Sequence, residues 1–165
     1  MRTPQRKIGN YAHLKPDPHI TIEKYNQLKK KLEHLKKRQP SARVEVKRLA
    51  EMGDFSENAE YQLAKGRLRW LNQKVLDITD QLKLAIIIKY DKINLNVKIG
   101  SIVTIEIEKK IKKYQILGST ETDPSKNIIS HNSLIGASLM NKKNGEVIKV
   151  KIANKDVEIK IVDIR

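Results

Sequence analysis

Gly53-Asp54-Phe55-Ser56-Glu57-Asn58-Ala59-Glu60-Tyr61 separates two segments that share one periodicity, and its reading decides the fold. Before it, Tyr25, Leu28, Leu32, Leu35, Gln39, Ala42, Val46 and Leu49 recur at alternating steps of three and four. After it, Tyr61, Ala64, Leu68, Leu71, Val75, Ile78 and Leu82 do the same. That spacing lines side chains along one stripe of a helix, the seam of a coiled coil. Two such seams joined by a short glycine-containing segment predict an antiparallel helical hairpin. The first helix should open at Thr21, with Glu23 and Lys24 in its first turn. From about residue 22 to 51, at ~1.5 Å per residue, it would be on the order of 45 Å long. Pro40 follows the polar seam residue Gln39. Proline removes a helix hydrogen bond and bends the axis, so a kink or break is expected there, although the seam register continues beyond it.

The connecting stretch concentrates acid in a basic chain: Glu51, Asp54, Glu57 and Glu60. Asp54 and Glu57 are three residues apart where the second helix begins. Hard cations such as Mg2+ take oxygen ligands and often bind through one or two carboxylates with water and substrate phosphate. A tip with two carboxylates becomes a useful half-site if a partner supplies a second metal and a phosphodiester. The same spacing also matches a helix cap: an acid followed three residues later by Glu resembles a capping box, and Ser56 is a competing cap. Lys65, Arg67 and Arg69 lie one to three turns behind the tip. They can hold RNA or DNA phosphate or form a solvated helix surface. Trp70 falls beside the seam and is expected to pack at the hairpin's edge. Aromatics are only 4% of the chain, which argues against a single-stranded nucleic-acid groove built on base stacking.

The formal net charge is +15, with 19 basic against 10 acidic residues over 1–88 and 15 against 9 over 89–165. Both halves are basic, which suits a partner rich in phosphate or carboxylate. Cysteine is absent, which excludes a disulfide scaffold and thiolate metal sites. Residues 1–20 hold Pro4, Pro16 and Pro18 with Arg2, Arg6, Lys7 and Lys15. They read as a basic arm and not as a signal peptide. Apolar clusters such as Ala85–Ile88 are too short to span a bilayer, so a soluble, cytoplasmic monomer that does not engage membranes is expected. No GxSxG, HExxH or phosphate-loop motif occurs, and His13, His19, His34 and His131 are scattered, each expected to be structural or solvated.

The helical pattern lapses over 89–96, read as a linker, and a period of two follows. Val97 to Ile107 suggests a strand with an early bend or bulge at Gly100-Ser101. Tyr114 to Leu117, Ile128-Ile129, Val147 to Ile152 and Val157 to Ile164 suggest further strands. Ser133 to Met140 suggests a short helix, and Asn154-Lys155 a hairpin turn. The chain is thus read as α+β: an arm (1–20), a coiled-coil hairpin with an acidic tip (21–88), a linker (89–96) and a mainly antiparallel β domain (97–165).

The run Gly53 to Tyr61, with Lys65 and the apolar end of the arm, closely resembles the signature of the bacterial Gre transcript cleavage factors. In the second half Ile99-Gly100-Ser101, Val103-Thr104-Ile105, Tyr114 to Gly118, Asp123-Pro124 and Ile129-Ser130 also match that family. The resemblance covers about residues 20–165. It implies that the second domain is FKBP-like and that the protein is an accessory factor, not an enzyme in its own right. It implies binding to RNA polymerase, insertion of the coiled coil into the secondary channel, and stimulation of the polymerase's own cleavage of backtracked RNA. By motif, the two carboxylates that help to hold an Mg2+ shared with the polymerase fall on Asp54 and Glu57. The polymerase-docking pair falls on Asp123 and Pro124, and the basic position facing the RNA 3′ end on Lys65, with Arg67 and Arg69 nearby. The family's Ser-Pro-Leu-Gly run stands here as Ser133-Leu134-Ile135-Gly136, and its following Gly-Lys as Asn141-Lys142.

Overall fold

Every seam position predicted from the heptads is buried or half-buried. The computed structural model describes residues 17–53, 58–89, 95–152 and 155–165. Helix α1 (Ile22–Glu51) and helix α2 (Ala59–Leu84) pack along their seams. Leu28, Leu35, Leu71 and Ile78 form the shared core, with Tyr25, Leu32, Ala42, Val75 and Leu82 around it. Burying each such leucine or isoleucine contributes about 1.5–3 kcal/mol, and a two-helix rod has few of them.

Pro40 lies inside α1, which does not end there. Seam leucines on both sides, Leu35 and Leu49, are buried and hold the axis. The Ser41 hydroxyl donates to the Arg38 carbonyl at 3.0 Å. The polar seam residue Gln39 donates through Nε2 to Asn72 Oδ1 on the facing helix, 2.9 Å away. A polar pair in an apolar seam favours one register over its neighbours.

The open end of the hairpin is closed by two short strands that the heptads did not reveal. Strand β1 (His19–Ile20) precedes α1, and strand β2 (Ile86–Ile87) follows α2; they pair in parallel. Ile20 is 1% exposed and joins the hairpin core. The expected arm therefore gives way to ordered chain before its predicted end at residue 20; residues 1–16 lie outside those described.

Strands β3 (Ile102–Ile107), β4 (Lys110–Leu117), β5 (Ile128–Ser130), β6 (Val147–Ile152) and β7 (Lys155–Ile164) form a sheet of order β5-β4-β3-β7-β6. All neighbours are antiparallel except β4 and β5. Alternation places Val103, Ile105, Ile159 and Ile161 on the buried face, where they meet Val97, Ile116, Ile148, Val150 and Leu139 of the short helix α3 (Leu134–Leu139). The strand expected from Val97 begins instead at Ile102, because Gly100 turns the chain at φ +102°. The bulge lies further on, between Thr104 and Ile105 opposite β7. Val97 is nevertheless fully buried, held by hydrogen bonds to Lys142 O (2.8 Å) and from Asn141 N–H (2.9 Å). Of the predicted 154–155 turn, Lys155 opens β7 and Asn154 lies outside the described residues.

The altered Ser133-Leu134-Ile135-Gly136 run still turns. Ser133 caps α3 by accepting from Gly136 N–H at 3.1 Å, and its hydroxyl donates to Ser130 O at 2.6 Å. Leu134 occupies the first helical position, which tolerates proline but does not require it. Gly136 cannot be enlarged, since a Cβ there would lie 2.0 Å from Ser130 O. Asn141 adopts φ +63°, the left-handed conformation that glycine, and next asparagine, accepts at least cost.

The two halves meet at the hairpin's base. The amide and hydroxyl of Thr21 both donate to the Glu121 carboxylate. Ser119 N–H donates to Asp17 Oδ2 at 2.7 Å, and Gly118 lies against the backbone of His19. Burial pushes the Asp17 carboxyl up, but the Ser119 and His19 amides and the side chains of both residues outweigh it, and the net shift is downward.

Candidate functional site

Two places carry the predicted chemistry. The first is the hairpin tip. Helix α1 ends at Glu51, and Gly53 follows at φ +80°, its amide donating to Ala50 O at 3.3 Å. Helix α2 starts at Ala59 with Asn58 as its cap; Asn58 Oδ1 accepts from Tyr61 N–H at 3.1 Å. Asp54 and Glu57 lie outside the described residues, between these two fixed points. The capping role that the sequence offered to Asp54 or Ser56 belongs, for α2, to Asn58. The sequence carried a signal for it, since asparagine three residues before Tyr61 is a preferred cap. Carboxylate oxygens at Asp54 and Glu57 match the donor preference of a hard divalent cation.

Behind the tip, Lys65 is half-buried, with its ammonium 5.5 Å from the Tyr61 ring centroid, a cation–π contact that steers the side chain along α2. Arg67 and Arg69 are exposed. Arg67 borders a shallow groove with Arg38, Glu45, Ala64 and Trp70. Trp70 is 54% exposed, more than an edge-packing role predicts. Lys65 and Arg69 stand four residues apart on one side of α2, and Arg67 lies on the other.

The second place is a tight knuckle at Asp123-Pro124, between β4 and β5. Asp123 caps a one-turn 3₁₀ helix, Pro124–Lys126, with proline at its first position. Its Oδ1 accepts from the Ser125 hydroxyl at 2.6 Å and the Ser125 amide at 3.1 Å. Lys126 Nζ stands 3.3 Å from Oδ2. The Ser125 hydroxyl, and then Lys126, hold the carboxyl below the usual carboxylate range. Backbone hydrogen bonds between Asp123 and Ile128 tie the knuckle to the sheet edge, and Pro124 is exposed. The result is a hydrogen-bonded surface feature with an ionised carboxylate. Among the described residues no helix is long and apolar enough to cross a membrane.

Matches to known proteins span both places. Residues 19–87 match the family model described as transcription elongation factor, N-terminal, and residues 93–165 match the model for the C-terminal part of GreA/GreB. A transcription elongation factor GreA of Clostridioides difficile is 37% identical, over 88% of this chain and 94% of that one. One from a Nitratiruptor species is 34% identical, over 85% and 88%. Among solved structures, the GreA factor homolog Gfh1 of Thermus thermophilus is 21% identical, covering 86% of this chain and 94% of that one, with a TM-score of 0.39. With the relatives matched over most of both chains, and both halves matched in order, the chain belongs to the GreA/GreB family of transcription elongation factors.

Proposed function

We propose that this chain binds bacterial RNA polymerase through the Asp123-Pro124 knuckle and passes its helical hairpin into the enzyme's secondary channel. There it stimulates the polymerase's own endonucleolytic cleavage of backtracked RNA. It acts in the cytoplasm as an accessory factor and needs no active site of its own. The observation that supports this reading is the packing of α1 (Ile22–Glu51) against α2 (Ala59–Leu84), two long helices between which Asp54 and Glu57 fall in the sequence.

The roles divide by residue. Asp54 and Glu57 would hold an Mg2+ jointly with the polymerase. An Mg2+ held there would supply activation of a water and compensation of developing negative charge. Gly53 turns the chain at the end of α1, and Asn58 caps the start of α2. Lys65 would face the displaced RNA 3′ end, and Arg67 and Arg69 would add positive charge to the surrounding helix surface. Asp123 presents an ionised carboxylate, and Pro124 a preset backbone bend, to the polymerase surface.

The test is a stalled, backtracked elongation complex with Mg2+, followed at the transcript's 3′ end. The parent protein should shorten the transcript. Asp54→Asn with Glu57→Gln should abolish stimulated cleavage while polymerase binding stays nearly intact. Cleavage by the double variant at the parent rate would remove the catalytic role. Tight binding by the parent without cleavage would make it a channel-blocking inhibitor instead.

A further inference from the structure

The base of the hairpin holds a cluster that the function above does not use. Asp17, His19 and His131 each offer one ligand atom, and the three atoms lie within 4.8 Å of one another. His19 Nδ1 is 3.0 Å from Asp17 Oδ1, and His131 Nδ1 is 3.4 Å from Asp17 Oδ2. The imidazoles meet edge to face, with centroids 5.5 Å apart. Ligand atoms bound about 2.0–2.1 Å from a tetrahedral zinc ion stand roughly 3.3 Å from each other. The two measured separations, each to a different oxygen of the Asp17 carboxylate, are close to that value.

The surroundings support a metal centre. Both Asp17 oxygens accept backbone amides, from His19 at 3.1 Å and Ser119 at 2.7 Å. Such bonds orient a ligating carboxylate while leaving it further lone pairs. The Asp17 side chain is 6% exposed, that of His131 16%, and that of His19 32%. The cluster is therefore shielded on the carboxylate side and open on the His19 side, where a water can complete four-coordination. Two imidazoles and one carboxylate suit a borderline ion such as zinc and are poor ligands for Mg2+. His131 Nδ1 also lies 3.4 Å from Leu117 O, a contact long enough to yield to a metal bond.

We propose that Asp17, His19 and His131 form a zinc site that fastens the base of the helical hairpin to the β domain. Two ligands flank the start of β1 and the third follows β5, so one ion would bridge segments over 100 residues apart in sequence. The site is separate from the tip acids in both position and donor type. Its failure would leave the polymerase function untouched.

The experiment uses the untagged full chain, stripped by a chelator, with zinc titrated against a chromophoric indicator. We expect one equivalent to bind, a raised Tm in the bound protein, and visible d–d absorption of a four-coordinate centre when Co2+ replaces zinc. His19→Gln and His131→Gln should each weaken zinc binding at least about tenfold and remove the zinc-dependent rise in Tm. His34→Gln and His13→Gln should leave both readouts unchanged. Far-UV circular dichroism establishes that each variant is folded; if His131→Gln is not, the more exposed His19 decides. Absence of stoichiometric binding, or binding that survives both ligand substitutions, overturns the site and leaves a hydrogen-bonded cluster alone.

Discussion

Thr21 and Glu121 hold each other through two hydrogen bonds: the Thr21 amide reaches Glu121 Oε2 at 2.7 Å and its hydroxyl reaches Oε1 at 2.6 Å. The same hydroxyl oxygen accepts from Lys24 N–H at 3.1 Å, so one side chain caps α1 and fastens it to the β domain. Thr21→Ala removes the cap and one charge-assisted bond together. We expect a loss of about 2 kcal/mol, seen as a Tm lower by roughly 4–8 °C in thermal unfolding. Thr21→Ser keeps both roles and should melt like the parent.

Gly118 tests how closely the halves are seated. A Cβ at this position would lie 1.9 Å from His19 O and 2.9 Å from its carbonyl carbon, both backbone atoms that cannot rotate away. Gly118→Ala should displace β1 and destabilise the protein by about 1–3 kcal/mol. Limited proteolysis should then cut near residues 17–21 faster than in the parent, while the sheet core stays protected.

Asn58 separates tip rigidity from tip chemistry. Asn58→Ala removes the Oδ1 that accepts from Tyr61 N–H and should fray the first turn of α2 at a cost of about 1 kcal/mol. In the transcript cleavage assay this variant should lose part of the stimulation, and Asn58→Ser should recover most of it. If Asn58→Ala equals the parent, the cap has no part in presenting the acids.

Asp123 gives a pH dependence. Its folded pKa lies below the ordinary value of 3.8, first because of the Ser125 hydroxyl bond. A carboxyl depressed in the folded state contributes stability above its unfolded pKa and loses it as pH falls through the folded value. The knuckle should therefore remain ordered at pH 5 and loosen only in strong acid. The Ser125 amide resonance should titrate with a midpoint below 3.8, and Ser125→Ala should move the Asp123 midpoint upward.

The hairpin was legible because heptad spacing is a local property. Each step of three or four fixes which face of a helix is apolar, and a rod with one apolar stripe can bury it only against another such stripe. Tyr25 to Leu49 and Tyr61 to Leu82 thus announced α1 and α2, and alternation announced most of the sheet. Pro40 misled in part: a kink or break was expected there, but α1 runs through it, with Leu35 and Leu49 buried on both sides. Val97 misled in the opposite sense, since an apolar residue before a turning glycine packs in the core without joining a strand.

At the candidate site the acids at Asp54 and Glu57 and the Asp123-Pro124 pair were visible as motifs. The cap at Asn58 was hidden among competing polar residues, which differ only in where the first helical hydrogen bond forms. His19 and His131 gave no signal, because nothing near either residue points to the other.

By itself the sequence determined the two rods, the acidic turn between them and the strand content of the second half, since these follow from the order of side chains within a few residues. Only the tertiary structure decided that Asp17, His19 and Thr21 meet Gly118, Ser119, Glu121 and His131. Those contacts join positions about a hundred residues apart, and they form because the hairpin returns to its own starting point and sets β1 against the segment that follows β4.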